Sequence, residues 1–568
     1  MQLQTRFSSF LSSRCSLRSL SPSRDPLDSG SACCVLRAAQ ILAAQPQAAA
    51  AMAEGIEAGI GNATANAAFL ESSAPLALLK SLAPTLLVAA ILAVFVARWF
   101  RSGGGKQPPV VPTIPLIGGL LKFLKGPIPL IKDAYAKYGS VFTVNVLHMR
   151  MTFLIGPEAT THFYKASEDQ LSQREVYKYN VPTFGPGVVF DVDYPIRMEQ
   201  FRFFADSLKP TRLRTYVDMM VEEAQDFFSQ WGDEGEVDLK DAMARLIILT
   251  ASRCLLGREV REGMADRVSD LFHTLDLGML PISVLFPYLP IPAHKRRDEA
   301  RKELAGIFGR IVRARKESGR VENDMLQVFI DSRYKLLNRS TTEEECAGML
   351  IAALFGGQHT SSLTATWVGA YLLTRRDNVL AGVVAEQQAV MGRHGGTLNY
   401  DVLSEMDSLH RVMKEVLRLH PPLVMLLRYA QQPFTVTGHE GKTYTVPKGT
   451  VVAAAPAFSN RLGYIYSKPD EFDPERFAAG REEDRAMPFS FTAFGGGRHG
   501  CMGENFAYMQ GKTVWSVLLR NFELELITPF PPVDWDSLVV GPKGPVMVRY
   551  KRRTLAPAAA PAAATAAA

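Results

Sequence analysis

A glycine-rich loop around one cysteine constrains the fold of this chain more than any other feature of its sequence. The segment FGGGRHGCMG runs from Phe494 to Gly503, with glycines on both sides of Cys501. Such a loop can turn tightly beneath a flat cofactor and present one thiolate to a metal. We therefore predict that Cys501 is the axial ligand of a haem iron and that Phe494 packs beside its sulfur. A thiolate ligand indicates oxygen activation rather than oxygen transport.

Two other interpretations of this loop are a chance glycine turn beside a buried cysteine and a dinucleotide-binding fingerprint. Gly495, Gly497 and Gly500 have the G-x-G-x-x-G spacing of that fingerprint. The fingerprint requires a buried β-strand immediately before the glycines. The preceding residues, AMPFSFTAF, contain a proline and lack the pattern of such a strand. The sequence context therefore excludes the dinucleotide interpretation.

The other cysteines and the net charge exclude further classes of protein. The chain has 6 cysteines, and none forms a C-x-x-C pair or has histidine partners at zinc spacing. A formal charge of +6, from 63 basic and 57 acidic residues, comes without the concentrated basic stripe that binds phosphate backbones. We expect neither structural zinc nor a nucleic-acid partner.

Composition divides the chain into five segments. The uncharged run SLAPTLLVAAILAVFVA predicts one transmembrane helix, and glycines and prolines after it predict a hinge. Basic residues follow the run and acidic residues precede it, which predicts that the catalytic body lies in the cytosol. We expect the membrane to be that of the endoplasmic reticulum. The Arg/Ser-rich leader leaves open a plastid transit peptide, a doubtful gene extension or a long lumenal segment. The predicted segments are a disordered or targeting leader (1–75), a transmembrane anchor (76–100), a hinge (101–107), the catalytic domain (108–555) and an Ala/Pro-rich disordered tail (556–568).

The catalytic domain is predicted to be mainly α with small β-sheets. Helical periodicity dominates, as in VDMMVEEAQDFFSQW and in the long run from Thr341 to Arg376. Short strand-like runs lie at Val141–Val146, Phe434–Val446 and Val546–Tyr550.

Two further motifs precede the cysteine loop. Glu415 and Arg418 form an E-x-x-R on one helix face, and Arg476 lies in FDPERF. Together with the loop, these motifs resemble the cytochrome P-450 superfamily. The resemblance implies the P-450 fold, heme b with iron on Cys501, and a buried triad of Glu415, Arg418 and Arg476 that stabilises the cofactor loop.

The long predicted helix contains the segment FGGQHTS, which includes Gly356, His359 and Thr360. The superfamily resemblance makes this segment the oxygen groove, where Thr360 donates a hydrogen bond that directs protons. A helical threonine also commonly bonds to its own backbone. Histidine at position 359, where the superfamily often carries an acid, is typical of sterol 14α-demethylases and can relay protons near neutral pH.

The segment YKYNVPTFGPGVVFDV, from Tyr177 to Val192, resembles the substrate-recognition segment of the sterol 14α-demethylase family in its plant form. Similar matches occur at 275–304 and in HPPLVMLLRYA. The resemblance implies haem-propionate contacts from Tyr177, Arg428 and His499, while the family's additional basic contact falls on Arg197 or Arg202. It implies that the substrate pocket includes Tyr177, Tyr179, Phe184, Phe190, Gly356, Leu423 and Met425.

The family resemblance predicts stepwise oxygenation of a sterol 14α-methyl group, with release of formate. An aromatic ring at Tyr179 crowds a second methyl at sterol C4 and favours a C4-monomethyl sterol such as obtusifoliol. Electrons are expected from a separate NADPH-cytochrome reductase that carries FAD and FMN, because this chain shows no nicotinamide or flavin site. The alternatives are a haem-thiolate hydroxylase of another lipid or terpenoid, and a non-catalytic sterol- or haem-binding protein.

Overall fold

The computed structural model describes residues 106–558, except 114–117, 148, 536 and 538. The predicted leader and membrane anchor lie outside these residues, as do most of the hinge and most of the tail. Within the part of the chain that is described, no helix is long and apolar enough to cross a bilayer.

Helices make up most of the described chain, as the periodicity predicted. The helices are α1 (Leu120–Leu124), α2 (Pro127–Tyr138), α3 (Gly156–Lys165), α4 (Arg174–Tyr177), α5 (Val181–Phe184), α6 (Tyr194–Ser207), α7 (Pro210–Ser229), α8 (Leu239–Ala251), α9 (Arg258–Gly263), α10 (Ala265–Leu277), α11 (Pro281–Leu285), α12 (Pro292–Ser318), α13 (Met325–Asp331), α14 (Glu343–Thr374), α15 (Ala381–His394), α16 (Tyr400–Ser404), α17 (Asp407–Leu419), α18 (Pro456–Ser459) and α19 (Glu504–Asn521).

The strands form small sheets at the edges of the helical body. The main sheet has five strands in the order β1-β2-β10-β7-β3, and only β2 and β10 run parallel. The three predicted strand regions are confirmed as β1, the β8–β9 hairpin and β14. The strands are β1 (Val141–Val146), β2 (Met149–Leu154), β3 (Leu171–Ser172), β4 (Glu234–Asp238), β5 (Arg333–Tyr334), β6 (Arg339–Ser340), β7 (Leu426–Ala430), β8 (Phe434–Thr437), β9 (Thr443–Val446), β10 (Val451–Ala454), β11 (Phe522–Leu526), β12 (Val533–Asp534), β13 (Gly541–Pro542) and β14 (Met547–Arg552).

Helix α14 runs through the apolar core of the described residues. It begins with a capping box, in which the Thr342 hydroxyl accepts from the Glu345 backbone N–H and the Glu345 carboxylate accepts from that of Thr342. Its residues contribute to two large apolar clusters, one toward each end of the helix. Burial on nearly every face holds the helix, because its residues are apolar all round rather than along one stripe.

Helix α19 lies against α14 and is buried along most of its length. The ring of Trp515 is fully buried and donates a hydrogen bond to the Ala365 carbonyl of α14 at 3.2 Å. A Cβ at Gly369 would meet the Trp515 ring at 2.8 Å, so glycine allows the close approach. The cysteine loop immediately precedes α19, and this packing therefore fixes the loop relative to α14.

Candidate active site

A cavity of about 720 Å³ lies between α14 and the cysteine loop. Its walls are mainly apolar and aromatic side chains, with a few polar groups. Most of the predicted site residues line it, although they are spread over more than 300 positions of sequence. The predicted residues on its walls are Tyr177, Phe184, Phe190, Gly356, Thr360, Leu423, Arg428, Phe494, His499 and Cys501.

Three of the residues predicted to be catalytic or substrate-binding do not line this cavity. Met425 packs against the apolar cluster formed around β1, β2 and β10. The ring of Tyr179 lies 6.3 Å from that of Tyr177, which does line the cavity. His359 is on α14 next to Thr360 but turns toward Asp276.

The cysteine loop is held by backbone contacts that require glycine. Gly495 and Gly497 have φ values of 72° and 64°. A Cβ on Gly497 would approach the Tyr164 carbonyl of α3 to 2.0 Å, so no other residue fits there. The backbone N–H of Cys501 donates to the Phe494 carbonyl at 2.8 Å and closes the loop.

Cys501 has the properties of a metal ligand. Cys254 and Cys346 are buried elsewhere, so Cys501 is the one cysteine of the described residues that lines the cavity. Burial raises the pKa of its thiol, and an N–H donor at Gly503 opposes that rise. A thiol with a raised pKa stays protonated near neutral pH, whereas coordination to a metal removes its proton.

At the edge of the cavity lies an excess of buried nitrogen donors. Among the described residues, no hydrogen-bond partner is present for Nε of Arg428, for Nε and Nη1 of Arg197 or for Nδ1 of His499. Arg197 and Arg428 are almost completely buried. The Tyr177 hydroxyl oxygen accepts from the Leu427 N–H at 3.2 Å, which leaves its own proton free to donate. These donors suit two carboxylates, as on the propionates of a haem, and the residues present therefore fit that group.

Glu168 organises these donors and was not anticipated from the sequence. Its carboxylate accepts from Nη2 of Arg197 at 2.5 Å and lies 3.4 Å from Nε2 of His499. Although burial raises the pKa of Glu168, the His499 contact and the Arg197 charge lower it to about 2. The carboxylate is therefore ionised and fixes the Arg197 side chain in place.

The groove on α14 combines an open backbone with the polar side chain of Thr360. Gly356 and Gly357 lack side chains that would fill the cavity. The Thr360 hydroxyl donates to the Gly356 carbonyl at 2.8 Å, the helical bond noted as the ordinary alternative, while still facing the cavity.

His359 is paired with an acid that sequence reasoning missed. Its Nε2 lies 2.5 Å from Oδ2 of Asp276, near the end of α10. Burial lowers the pKa of His359, but the hydrogen bond and charge of Asp276 outweigh burial and raise it. Only the fold brings these two positions together, and no local spacing in the sequence points to Asp276.

Glu415, Arg418 and Arg476 form one fully buried ion cluster. The Arg418 guanidinium donates to both Glu415 oxygens, at 2.7 and 2.8 Å, and Arg476 Nε donates to Glu415 Oε1 at 3.0 Å. Other guanidinium donors bind backbone carbonyls of 460–471, the segment that leads toward the loop. Nη1 of Arg476 also donates to the Glu483 carboxylate at 2.7 Å. The cluster thus joins α17 to that segment.

The aromatic residues of the segment from Tyr177 to Val192 stack on one another. The Tyr177 ring lies 5.4 Å from that of Phe190, and Phe184 lies 6.2 Å from Phe190 and 5.6 Å from Phe355 of α14. Stacking of this kind fixes flat apolar walls, which suit a rigid ring system.

A family model described as Cytochrome P450 matches residues 108–549. The chain belongs to the cytochrome P450 family. As a member, it uses a haem with a cysteine thiolate ligand, and the predicted mainly helical fold with small sheets is confirmed.

Two curated relatives and one solved structure illustrate the similarity. Obtusifoliol 14-alpha demethylase of Sorghum bicolor is 61% identical over 473 residues, which cover 83% of this chain and 96% of the relative. Lanosterol 14-alpha demethylase of Bos taurus is 39% identical over 457 residues, which cover 79% of this chain and 89% of the relative. The structure of retinoic acid-bound cyanobacterial CYP120A1 matches with a TM-score of 0.68 and 22% identity, over 79% of this P450 and 99% of that chain, and shows the fold alone. The resemblance to plant-type sterol 14α-demethylases is confirmed.

Proposed function

We propose that this P450 is a sterol 14α-demethylase that prefers obtusifoliol over lanosterol. The supporting observation is the 61% identity, over nearly the whole catalytic domain, to a plant enzyme named for obtusifoliol. The corresponding identity to the Bos taurus enzyme named for lanosterol is 39%. The reaction removes the 14α-methyl group in successive oxygenations, through an alcohol and an aldehyde, and releases formate.

Cys501 holds the haem iron in this proposal. Arg428, His499 and Tyr177 bind the propionates, and Arg197, rather than Arg202, supplies the additional basic contact. Arg197 is buried with free donors, whereas Arg202 already donates to the Arg333 carbonyl at 3.1 Å. When bound, the haem supplies the activation of molecular oxygen, and the thiolate ligand favours cleavage of the oxygen–oxygen bond.

Proton delivery is assigned to three residues. Thr360 presents a hydroxyl to the cavity, and His359 immediately precedes it on α14. Because Asp276 raises the pKa of His359, the imidazole keeps its proton to higher pH than an ordinary histidine does, and Asp276 keeps it oriented. We assign the proton relay to the order Asp276, His359, Thr360.

The cavity walls support a sterol as the substrate. Phe184, Phe190 and Leu423 supply apolar surface, and the volume of about 720 Å³ is in the range of small-molecule sites. The glycine groove and the Thr360 hydroxyl disfavour a purely non-catalytic sterol binder. A hydroxylase of other lipids or terpenoids is disfavoured by the named relatives.

The proposal includes two partners outside this chain. A separate NADPH-dependent reductase supplies electrons, since P450 enzymes of this family receive them from a redox partner. We also propose that the run from Ser81 to Ala97 anchors the enzyme in the endoplasmic reticulum membrane. That part of the proposal rests on the sequence alone, because the run lies outside the described residues.

The decisive experiment is turnover of the full-length enzyme with reductase and NADPH, offering obtusifoliol and lanosterol in parallel. Formate and the demethylated sterol are measured together, with a Cys501→Ala variant as the control that loses the iron ligand. Preferential conversion of obtusifoliol supports the proposal. Equal conversion of both sterols contradicts the preference, and no conversion by a haem-loaded protein contradicts the function.

A further inference from the structure

One buried side chain holds the loop that closes the cavity. We call residues Gly185–Asp191 the lid. Gln200, on α6, is fully buried, and its Oε1 accepts from the Val189 backbone N–H at 2.7 Å. Its Nε2 donates to the Gly187 carbonyl and to the Tyr334 hydroxyl, each at 2.9 Å. The reversed amide would set donor against donor at Val189, so the contacts fix its orientation.

The lid contains a strained residue at the point where Gln200 binds. Val189 has a φ of 48°, in the left-handed region that β-branched residues avoid. Such a conformation persists only where the surroundings impose it. Val189 and its neighbour Phe190 both line the cavity, whereas Gln200 does not. The strained conformation of Val189 therefore determines the shape of the cavity wall. The hydrogen bond from the Val189 N–H to the Gln200 side chain maintains that conformation.

We propose that Gln200 is a positioning residue for substrate selectivity, acting through Val189 and Phe190. This inference rests on the proposed function, because it concerns the wall of the same cavity. Gln200 touches no substrate. It holds the Val189 backbone in the conformation that sets the position of the Phe190 ring against Tyr177.

The β5–β6 hairpin supports the same arrangement from the protein surface. Tyr334, on β5, is buried and bonds to Gln200. On either side of Gln200, the Glu199 carboxylate accepts from the N–H groups of Lys335 and Leu336, and Arg202 donates to the Arg333 carbonyl. The hairpin therefore fixes α6 and the amide of Gln200 together. Tyr334→Phe removes one acceptor and leaves both lid bonds in place.

The test uses the full-length, haem-loaded enzyme and the variant Gln200→Leu. Leucine has a similar length but makes none of the three hydrogen bonds, so Val189 is free to relax. We expect faster hydrogen exchange in the peptide that contains 185–192. We also expect the ratio of kcat/KM for obtusifoliol to that for lanosterol to fall by roughly tenfold, the size of effect that a small change in an apolar pocket produces. Tyr334→Phe should change both quantities in the same direction by a smaller factor.

Gln387→Leu is the matched control. Gln387 is also fully buried and bonds through both ends of its amide, to Ser516 and Arg520, but it lies in the other core cluster. We expect this variant to lose thermal stability while its lid exchange and its substrate ratio stay at the wild-type values.

A rescue distinguishes positioning from general packing. Adding Val189→Gly to Gln200→Leu allows a φ of 48° without strain, and we expect slower lid exchange and partial recovery of the ratio. Val188→Gly removes an equally buried side chain at an ordinary φ of −128° and should not rescue. Wild-type exchange and ratio in Gln200→Leu, or equal rescue by both glycines, would overturn the proposal. If the wild type converts neither sterol, the proposed function fails, while the exchange data still decide whether Gln200 holds the lid.

Discussion

The imidazole of His359 on α14 lies 2.5 Å from the carboxylate of Asp276 on α10. The pair joins two helices next to the oxygen groove. It also gives the enzyme a titrating group whose pKa depends on the distance between those helices.

Asp276→Asn should shift the pH dependence of turnover. Without the carboxylate, the remaining influence on His359 is burial, which lowers its pKa. His359 then loses its proton at lower pH, and we expect the alkaline limb of the kcat profile to move toward acid. Asp270→Asn, an exposed position on the same helix, is the control and should leave the profile in place. An unshifted profile in Asp276→Asn would show that this pair does not supply the proton.

The same pair should make stability depend on pH. The folded-state pKa of His359 is raised, so the stabilisation is complete below the ordinary histidine value of about 6.5 and is lost as pH rises through the raised value. We expect the difference in unfolding free energy between wild type and Asp276→Asn to shrink with rising pH. Denaturant titrations at several pH values measure it. A difference that grows with pH would contradict the assignment.

Thr360→Ala should slow methyl removal by roughly 10²-fold, the lower range for loss of a positioned proton donor. Thr366→Ala provides the control, because Thr366 makes the same helical bond, to the Ser362 carbonyl at 2.8 Å, but does not line the cavity. Single-turnover rates with obtusifoliol measure the effect. Similar losses in both variants would indicate that helix stability, rather than proton delivery, is affected.

Glu415→Gln should destabilise the fold by about 3–5 kcal/mol, because it leaves two buried guanidinium groups without their shared carboxylate. Glu475→Gln removes a largely exposed partner of Arg411 in the same region and should change stability by less than about 1 kcal/mol. Urea unfolding followed by tryptophan fluorescence compares the two. Equal small effects would show that the cluster contributes little to stability.

Arg197→Met should weaken retention of the haem, whereas Arg202→Met should not. Two nitrogen atoms of the buried Arg197 have no hydrogen-bond partner among the described residues, whereas Arg202 is bonded to the β5 backbone. The rate of haem transfer to an excess of apomyoglobin measures retention without reference to activity. Arg197→Lys keeps the charge, and its rate of haem transfer should lie between those of the wild type and Arg197→Met. Faster loss of haem from Arg202→Met than from Arg197→Met would reverse the assignment.

Tyr179→Leu should raise turnover of lanosterol relative to obtusifoliol. The Tyr179 ring lies 6.3 Å from the ring of Tyr177, which lines the cavity, so the smaller leucine side chain gives Tyr177 room to move. Tyr444→Leu, on the distant β8–β9 hairpin, is the control for loss of a partly buried tyrosine. An unchanged substrate ratio in Tyr179→Leu would remove this residue from the explanation of selectivity.

The sequence predicted those parts of the site that local spacing determines. The turns around Cys501 follow from glycines a few positions apart, and Glu415 and Arg418 share a face because they are one helical turn apart. The strands β1, β8, β9 and β14 follow from short runs rich in β-branched and aromatic residues. In each case the chemistry and the geometry lie within a few residues of one another.

Contacts between distant segments were not predictable in this way. Asp276 lies in an ordinary amphipathic helix, and nothing near it indicates a partner on α14. Glu168 and Gln200 likewise acquire their contacts only from packing. Met425 was expected in the pocket, but the direction of a side chain in an irregular segment follows no period, and the structure turns it toward the sheet.

The parallel pairing of β2 with β10 has a consequence for synthesis of the chain. Met151 pairs with Val451, a residue that leaves the ribosome about 300 positions later. At about 5–20 residues per second, the edge of β2 waits roughly 15–60 s for its partner strand. During that interval an unpaired strand edge is open to wrong partners. Chain elongation, rather than the intrinsic speed of strand pairing, thus sets the earliest moment at which this sheet is complete.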